Sequence, residues 1–360
     1  MVLIKHPASF IPSPLADGIR LASAGAEKLQ SLHPLQLDII YEQRWFNLFV
    51  PAAYGGLELS LPEGLQIEEG LAWADGSTGW TVTLCSGANW FVGFLHPETA
   101  TGLFTDKKVC LAGSGKPSGT AKITGDEYEI SGYWNYATGA AHATAFTANC
   151  MIEKEGVIVK NEDGSPTIKP FLFLKKEVTI HEDWHLIGMI ATSSYSFEVN
   201  NLRVKKDRCF EIDKKHTWLS QPIYQYPFLQ FAEATLAVNS SGMAMRFLDL
   251  CEQLFTEKKN NHIYPSVENA KMRLQKARQL FYDAVQYSWD EYIVHPGTSD
   301  ESLSNVSKTS RSLAAISRQL IDELYPYCGP DAANTTTEIN RVWRNLHTAS
   351  QHGLLNFPII

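Results

Sequence analysis

The chain has 360 residues, 44% of them hydrophobic, which is too long for one small domain and enough for a large core. Its formal charge is −8 with Lys and Arg dispersed, so neither nucleic acid nor an anionic membrane is expected as a partner. The six cysteines (Cys85, Cys110, Cys150, Cys209, Cys251 and Cys328) stand apart with no CxxC, which argues against a disulfide frame and a Cys-based zinc site. Pro7, Pro12 and Pro14 interrupt the first residues, and no apolar run reaches membrane-span length. The expectation is a soluble, cytoplasmic, globular chain.

Residues 15–50 alternate apolar and polar at helical spacing until Pro51, after which Tyr54, Gly55 and Gly56 make a tight loop. Ser60, Pro62 and Glu63 form a helix start, with Ser at the cap and Glu at the capping-box position. That helix runs toward Asp75, is interrupted by Gly76–Gly79, and gives way to a buried apolar helix from Trp80 to Leu95. His96 and Pro97 start a further short helix that ends near Phe104.

From Lys107 to about Ile212 the period is two. Gly125 and Asp126 make a hairpin turn, Asn161–Gly164 another, and strands follow at 168–174 and 194–199. From Phe228 the helical period returns at 228–257, 268–294, 302–327 and 337–353, with breaks at Lys258–Pro265, His295–Ser299 and Gly329–Ala333. On the second of these helices Arg273, Lys276 and Arg278 decorate the surface. Leu274, Leu280, Phe281, Val285 and Trp289 face inward. Four such helices with short connections predict a bundle. The fold class is therefore α+β and mainly α: helices (1–105), a β domain (106–215), then a four-helix bundle (216–360).

Ser131–Ala143 carries aromatic residues at period two and then a small-residue turn, Ala137-Thr138-Gly139, where backbone could approach a flat ligand. A packed sheet face explains Trp134 equally well. His181-Glu182-Asp183-Trp184-His185 matches the zinc-protease pattern, but its surroundings read as strand and loop, so no metal site is expected. No phosphate loop, dinucleotide fingerprint or hydrolase elbow occurs, and Gly113–Gly115 with Ser118 and Gly119 reads as a loop. Near the C-terminus Arg341, Trp343, Arg344, Asn345, His347, Ser350, Gln351 and His352 cluster, either as a solvated helix face or with His352 as an acid or base.

Taken together, these segments resemble the acyl-CoA dehydrogenase superfamily, and within it the two-component flavin-dependent monooxygenases. The resemblance spans nearly the whole length. It rests on Val50-Pro51 with Tyr54–Gly56, Ala72–Trp80, Gly132–Gly139 with His142-Ala143, Trp184–Gly188 leading to Thr192–Ser194, and Arg344-Asn345. It implies a central β-barrel between helical domains, a homotetramer, and FMN or FAD supplied in reduced form by a separate reductase. The implied substrate is a small organic molecule.

The same resemblance implies site residues. Trp134, Thr138 and Gly139 would lie beside the flavin ring, Thr192 and Ser194 would bond its edge, and Lys258 would replace a phosphate-binding Arg. His352 and Thr138 would be catalytic, with Asn89 and Trp90 on the substrate side, where the family commonly has a His before the Trp. A dehydrogenase would need a carboxylate, and here Ser350-Gln351-His352-Gly353 supplies none; Glu233 and Glu338 are the alternatives. A flavin-free scaffold is the third possibility.

Overall fold

The computed structural model describes residues 3–259, 262–294 and 299–356. Two helices, α1 (Ser13–Leu29) and α2 (Pro34–Glu42), occupy the first amphipathic stretch, because Gln30 turns left-handed and the His33 side chain caps α2. α3 (Leu61–Ala74) starts as the sequence predicts, with the Ser60 N–H donating to Glu63 at 2.9 Å. α4 (Gly76–Asn89) follows at once. Asp75 accepts the Thr78 N–H at 2.9 Å, so Gly76–Gly79 is the first turn of α4 and not an interruption. The small residues there serve packing: a Cβ on Gly79 would lie 2.5 Å from the Ala72 Cα. α5 (Pro97–Phe104) completes the first helical segment.

The strands are β1 (Leu111–Thr124), β2 (Glu127–Ala137), β3 (Ala145–Lys154), β4 (Val157–Ile158), β5 (Ile168–Leu174), β6 (Thr179–His181) and β7 (Tyr195–Lys205). They form one sheet in the order β4-β3-β1-β2-β7-β6, with β5 also paired to β3. Only β1 and β3 run parallel among the described residues. Strand pairing leaves this sheet open: β6 has three residues and bonds on one side, to β7. Gly113–Gly119 lies in β1 rather than in a loop, where the β1–β3 register shifts between Ser114 and Gly119. No helix forms over 182–187, so His181 and His185 do not share a helical turn, and His181 Nε2 instead approaches Glu198 at 3.6 Å.

Four long or medium helices and one short one close the chain: α6 (Phe228–Glu257), α7 (Tyr264–Val294), α8 (Asp300–Leu324), α9 (Pro330–Ala333) and α10 (Glu338–Ala349). Most of the break expected at His295–Ser299 lies outside the described residues. α6 packs on α3, α7, α8 and α10. Two expectations for α7 are corrected. Leu280 is 56% exposed, on the outer face, and Arg278 is fully buried. Arg278 is tolerated there because Glu69 of α3 meets its guanidinium in two bonds, Nε at 2.7 Å and Nη2 at 2.8 Å. Tyr282 and Ser241 donate to the same carboxylate, so the pair leaves no unmet charge.

One apolar core joins the N- and C-terminal helices through Leu65, Leu71, Phe231, Leu248, Leu274 and Phe281. A second lies within the sheet around Trp134, Phe146, Phe173 and Phe197. Each such buried side chain contributes about 1.5–3 kcal/mol.

Candidate functional site

The site begins where β2 leaves its ladder. Trp134 pairs with Phe197 and Ala137 with Tyr195, so β2 carries one extra residue there, and Tyr136 takes φ +68° to accommodate it. This bulge turns the chain so that Thr138 faces Ser194 across the sheet. Gly139 follows at φ +82°, its N–H donating to the Thr192 carbonyl at 2.9 Å. A Cβ at Gly139 would lie 2.5 Å from the Cys85 Sγ of α4, so both dihedral and space demand glycine.

Three hydroxyls then form a chain whose direction is fixed. Thr192 Oγ1 donates to the Met189 carbonyl at 2.8 Å, which uses its only proton. It must therefore accept from Ser194 Oγ at 2.7 Å, and Ser194 in turn must accept from Thr138 Oγ1 at 2.9 Å. Thr138 thus has no proton left for another partner and offers a lone pair. All three side chains are buried.

The loop that carries this chain is held from the far end of the sequence. Asn345 Oδ1 accepts the Met189 N–H at 2.7 Å, and Arg344 Nη1 donates to the Ile187 carbonyl at 2.6 Å. Gly188 has no Cβ because one would meet the Arg344 carbonyl at 2.1 Å. Arg341, Arg344 and Asn345 are buried, so this side of α10 is an internal clamp and not a solvated face.

His352 lies past the end of α10 and caps a single 3₁₀ turn, Gly353–Leu355. Its Nδ1 accepts the Leu354 N–H at 3.3 Å, which places the ring proton on Nε2. Burial lowers its pKa, so the ring is neutral at neutral pH. Trp80 meets it edge-on with centroids 5.9 Å apart.

Thr138 and His352 line one cavity of about 270 Å³. Its other walls are Leu84, Gly87, Ala88 and Phe91 of the α4 region, Gly113–Gly115 of β1, Thr147–Asn149 of β3, and Phe231, Thr235 and Leu236 of α6. Among the described residues no carboxylate lines it. Glu233 is paired with Arg311 at 3.1 Å and Glu338 with Arg246 at 2.7 Å.

Hydrogen bonds join Thr138, Ser194, Thr192 and Gly139 to one another; of these only Thr138 lines the cavity with His352, and the other expected residues lie elsewhere. Trp134 is enclosed in the sheet core, stacked on Phe197 with its Nε1 donating to the Asn149 carbonyl, and it does not line the cavity. Asn89 is fully buried and spends its amide on structure: Nδ2 donates to Asn47 Oδ1 and the Val109 carbonyl, while Oδ1 accepts the Leu111 N–H. Trp90 points into an aromatic stack with Tyr224, Phe228 and Phe231. The cavity face is set one position back, at 84, 87, 88 and 91, a spacing that α-helical periodicity makes legible once the helix is known. Lys258 pairs with Asp331 at the far end of α6, about 39 Å along the helix from Ala232 of the cavity at 1.5 Å per residue. The anchoring roles of Met189, Arg344 and Asn345 have no local signal, since each depends on a distant partner.

Comparison with known proteins adds to this geometry. Residues 227–357 match the family model described as "Acyl-CoA dehydrogenase, C-terminal domain". A pigment production hydroxylase from a Rhodococcus species is 26% identical, covering 85% of this chain and 81% of its own length. HsaA of Mycobacterium tuberculosis, described as a flavin-dependent monooxygenase, oxygenase subunit, is 23% identical over 94% of this chain and 89% of its own. Its crystal structure superposes with a TM-score of 0.88, covering 96% and 93% of the two chains at 20% identity. XiaF from a Streptomyces species, solved with FADH2 and glycerol, superposes with a TM-score of 0.85 at 19% identity, covering 97% and 91%.

Proposed function

We propose that this chain, which belongs to the acyl-CoA dehydrogenase superfamily alongside flavin-dependent monooxygenases, is an oxygenase component acting on a small organic substrate with reduced flavin and dioxygen. The observation that carries this reading is the directed hydroxyl chain. Thr138 offers only a lone pair, which suits a ring N–H such as that on N5 of reduced flavin and repels the bare N5 lone pair of the oxidised ring. The residues present therefore fit reduced flavin. When bound, that group supplies two electrons to dioxygen, so that one oxygen atom enters the substrate and the other leaves as water.

This chain's own residues hold and shield. Thr138 and the Gly139 turn receive the ring, with Thr192 and Ser194 fixing the Thr138 proton. His352 presents Nε2–H across the cavity as a donor to developing negative charge on oxygen. Leu84, Phe91, Phe231 and Leu236 exclude water and match an apolar, flat substrate. Ala88 and Gly87 leave room where Asn89 and Trp90 were the expected substrate contacts. Trp134 supports the wall from within the sheet.

Removal of an α-proton beside a thioester calls for a carboxylate base, and none lines the cavity among the described residues. The oxygenase reading extends to a separate flavin reductase, a homotetramer in the cytoplasm, and Lys258 serving flavin phosphate in a neighbouring subunit. It also includes the division into a helical segment (1–105), a β domain (106–215) and a four-helix bundle (216–360).

The deciding experiment is anaerobic titration of the purified protein with reduced and with oxidised FMN and FAD. Preferential binding of the reduced forms is the expected result. Tight binding of oxidised FAD that is bleached by acyl-CoA would establish a dehydrogenase, and no binding in either state would leave a scaffold.

A further inference from the structure

A second cavity adjoins the one that holds Thr138 and His352. It encloses about 420 Å³ and is walled by Trp90, Phe94, Tyr224, Tyr226 and Tyr292. Asp213, Lys214 and Asp300 also line it and are exposed, so this is the outer of the two spaces. Ile212 and Phe228 are the residues common to both linings, and they form the partition between them.

The polar ends of the aromatic walls are committed elsewhere. Tyr224 donates to the Phe49 carbonyl at 2.9 Å, Tyr292 to the Gln225 carbonyl and Trp90 Nε1 to the Ile223 carbonyl at 3.2 Å. The Tyr226 hydroxyl bonds Ser288 at 2.9 Å. With those ends satisfied, the walls offer the outer cavity ring surface. Among the described residues no Lys, Arg, Asp or Glu lines the inner cavity, so neither space holds a buried charge to pair with an ionised ligand.

Both halves of the partition are built to yield. Phe228 is the first residue of α6 and is 40% exposed. Its ring stacks on Trp90 of the outer wall, with centroids 5.5 Å apart, and tilts against Phe91 of the inner wall at 5.8 Å. Turning that ring about its own side-chain bonds breaks no hydrogen bond. Ile212 is half-buried on a span with neither helix nor strand. That span is tethered by the Glu211 pair with Lys169 at one end, and at the other by Thr217 and Trp218, which donate to the Gly93 carbonyl at 2.9 and 2.8 Å.

We propose that the outer cavity is an antechamber for an uncharged, flat, apolar substrate, and that Phe228 is the gate through which it passes to Thr138 and His352. The proposal rests on the oxygenase reading of the inner cavity. In the closed position the ring lies between Trp90 and Phe91 and separates the inner cavity from the outer. In the open position the two spaces join, and the aromatic walls guide a flat molecule inward edge-first.

The route is tested without flavin by placing a thiol in the inner cavity and timing its capture. Ala88 lines the inner cavity alone and Leu303 the outer cavity alone. The full-length Ala88→Cys protein is treated with monobromobimane, a flat neutral reagent from which the thiolate displaces bromide. Labelling at residue 88 is followed by peptide mass spectrometry, which separates it from the native cysteines. A gate open about 10% of the time or less holds the rate down in proportion, so adding Phe228→Ala should raise it at least about tenfold. Adding Leu303→Trp instead, which fills the antechamber, should lower it by about tenfold.

A rate indifferent to Phe228→Ala overturns the gate. A rate raised by Phe228→Ala but untouched by Leu303→Trp overturns the antechamber, since traffic then enters elsewhere. Absence of labelling at residue 88 even in Phe228→Ala overturns both. Failure of reduced flavin to bind would count against the oxygenase reading alone, while the labelling rates still decide the route.

Discussion

Ser194→Ala is a small change with a directional consequence. In the native chain the Thr138 proton is committed to Ser194, because Ser194 must donate to Thr192 and Thr192 to the Met189 carbonyl. A ring N–H gains a hydrogen bond to Thr138 worth about 0.5–1.5 kcal/mol, whereas a bare ring nitrogen held at the same place is left unsatisfied at a cost of about 1–3 kcal/mol. The difference is about 1.5–4.5 kcal/mol, or a preference of at least roughly tenfold for reduced over oxidised flavin. Removing the Ser194 hydroxyl frees the Thr138 proton to turn either way, so the preference should collapse toward unity, mainly through tighter binding of the oxidised form. The assay is the ratio of dissociation constants for reduced and oxidised FMN, measured anaerobically by fluorescence on the native protein, Ser194→Ala and Ser194→Thr. Ser194→Thr keeps the hydroxyl and should keep the ratio. If Ser194→Ala binds flavin with the native ratio, the directed chain is not what distinguishes the two redox states.

His352→Ala removes the Nε2–H donor and should lower oxygenation of an identified substrate by about a hundredfold with little change in flavin affinity, read by product formation per flavin oxidised. Gly139→Ala should destabilise by about 2–4 kcal/mol, combining a left-handed dihedral with the Cys85 clash. Cys85→Ala in the same chain should recover the clash part alone, as measured by the shift in urea midpoint. Arg278→Met strands the Glu69 charge and should cost about 3–5 kcal/mol in denaturant titrations, with partial recovery when Glu69→Leu is added. Acid should weaken the fold through histidine. Burial, aided by the nearby Lys175 charge, lowers His142 from 6.5 to about 4, so the unfolded chain binds its proton first. Its contribution is complete above pH 6.5 and declines as pH falls toward 4, by up to about 3 kcal/mol, and burial of His352 acts in the same direction. Urea midpoints followed from pH 7 to 4.5 should show this decline, flattened in His142→Asn.

Periodicity, punctuation and caps decided much of this protein locally. The succession of helix, strand and helix follows from a hydrophobic period that switches from 3.6 to 2 and back, and Ser60 with Glu63 fixes one helix start within a single turn of chain. That Thr138 and His352 face one cavity could be expected only through family resemblance, since no spacing in the sequence connects residues 138 and 352. Tertiary contact decided the rest. Arg278 reads as a surface residue on its own helix until Glu69 arrives from α3, and Asn89 reads as a free amide until Asn47 and Leu111 consume it. The direction of the Thr138 proton required three hydroxyls and the Met189 carbonyl to meet. A side chain's periodicity is a property of its neighbours along the chain. Its charge state, its donor or acceptor character and the cavity it faces are set by groups that only folding brings within hydrogen-bond distance.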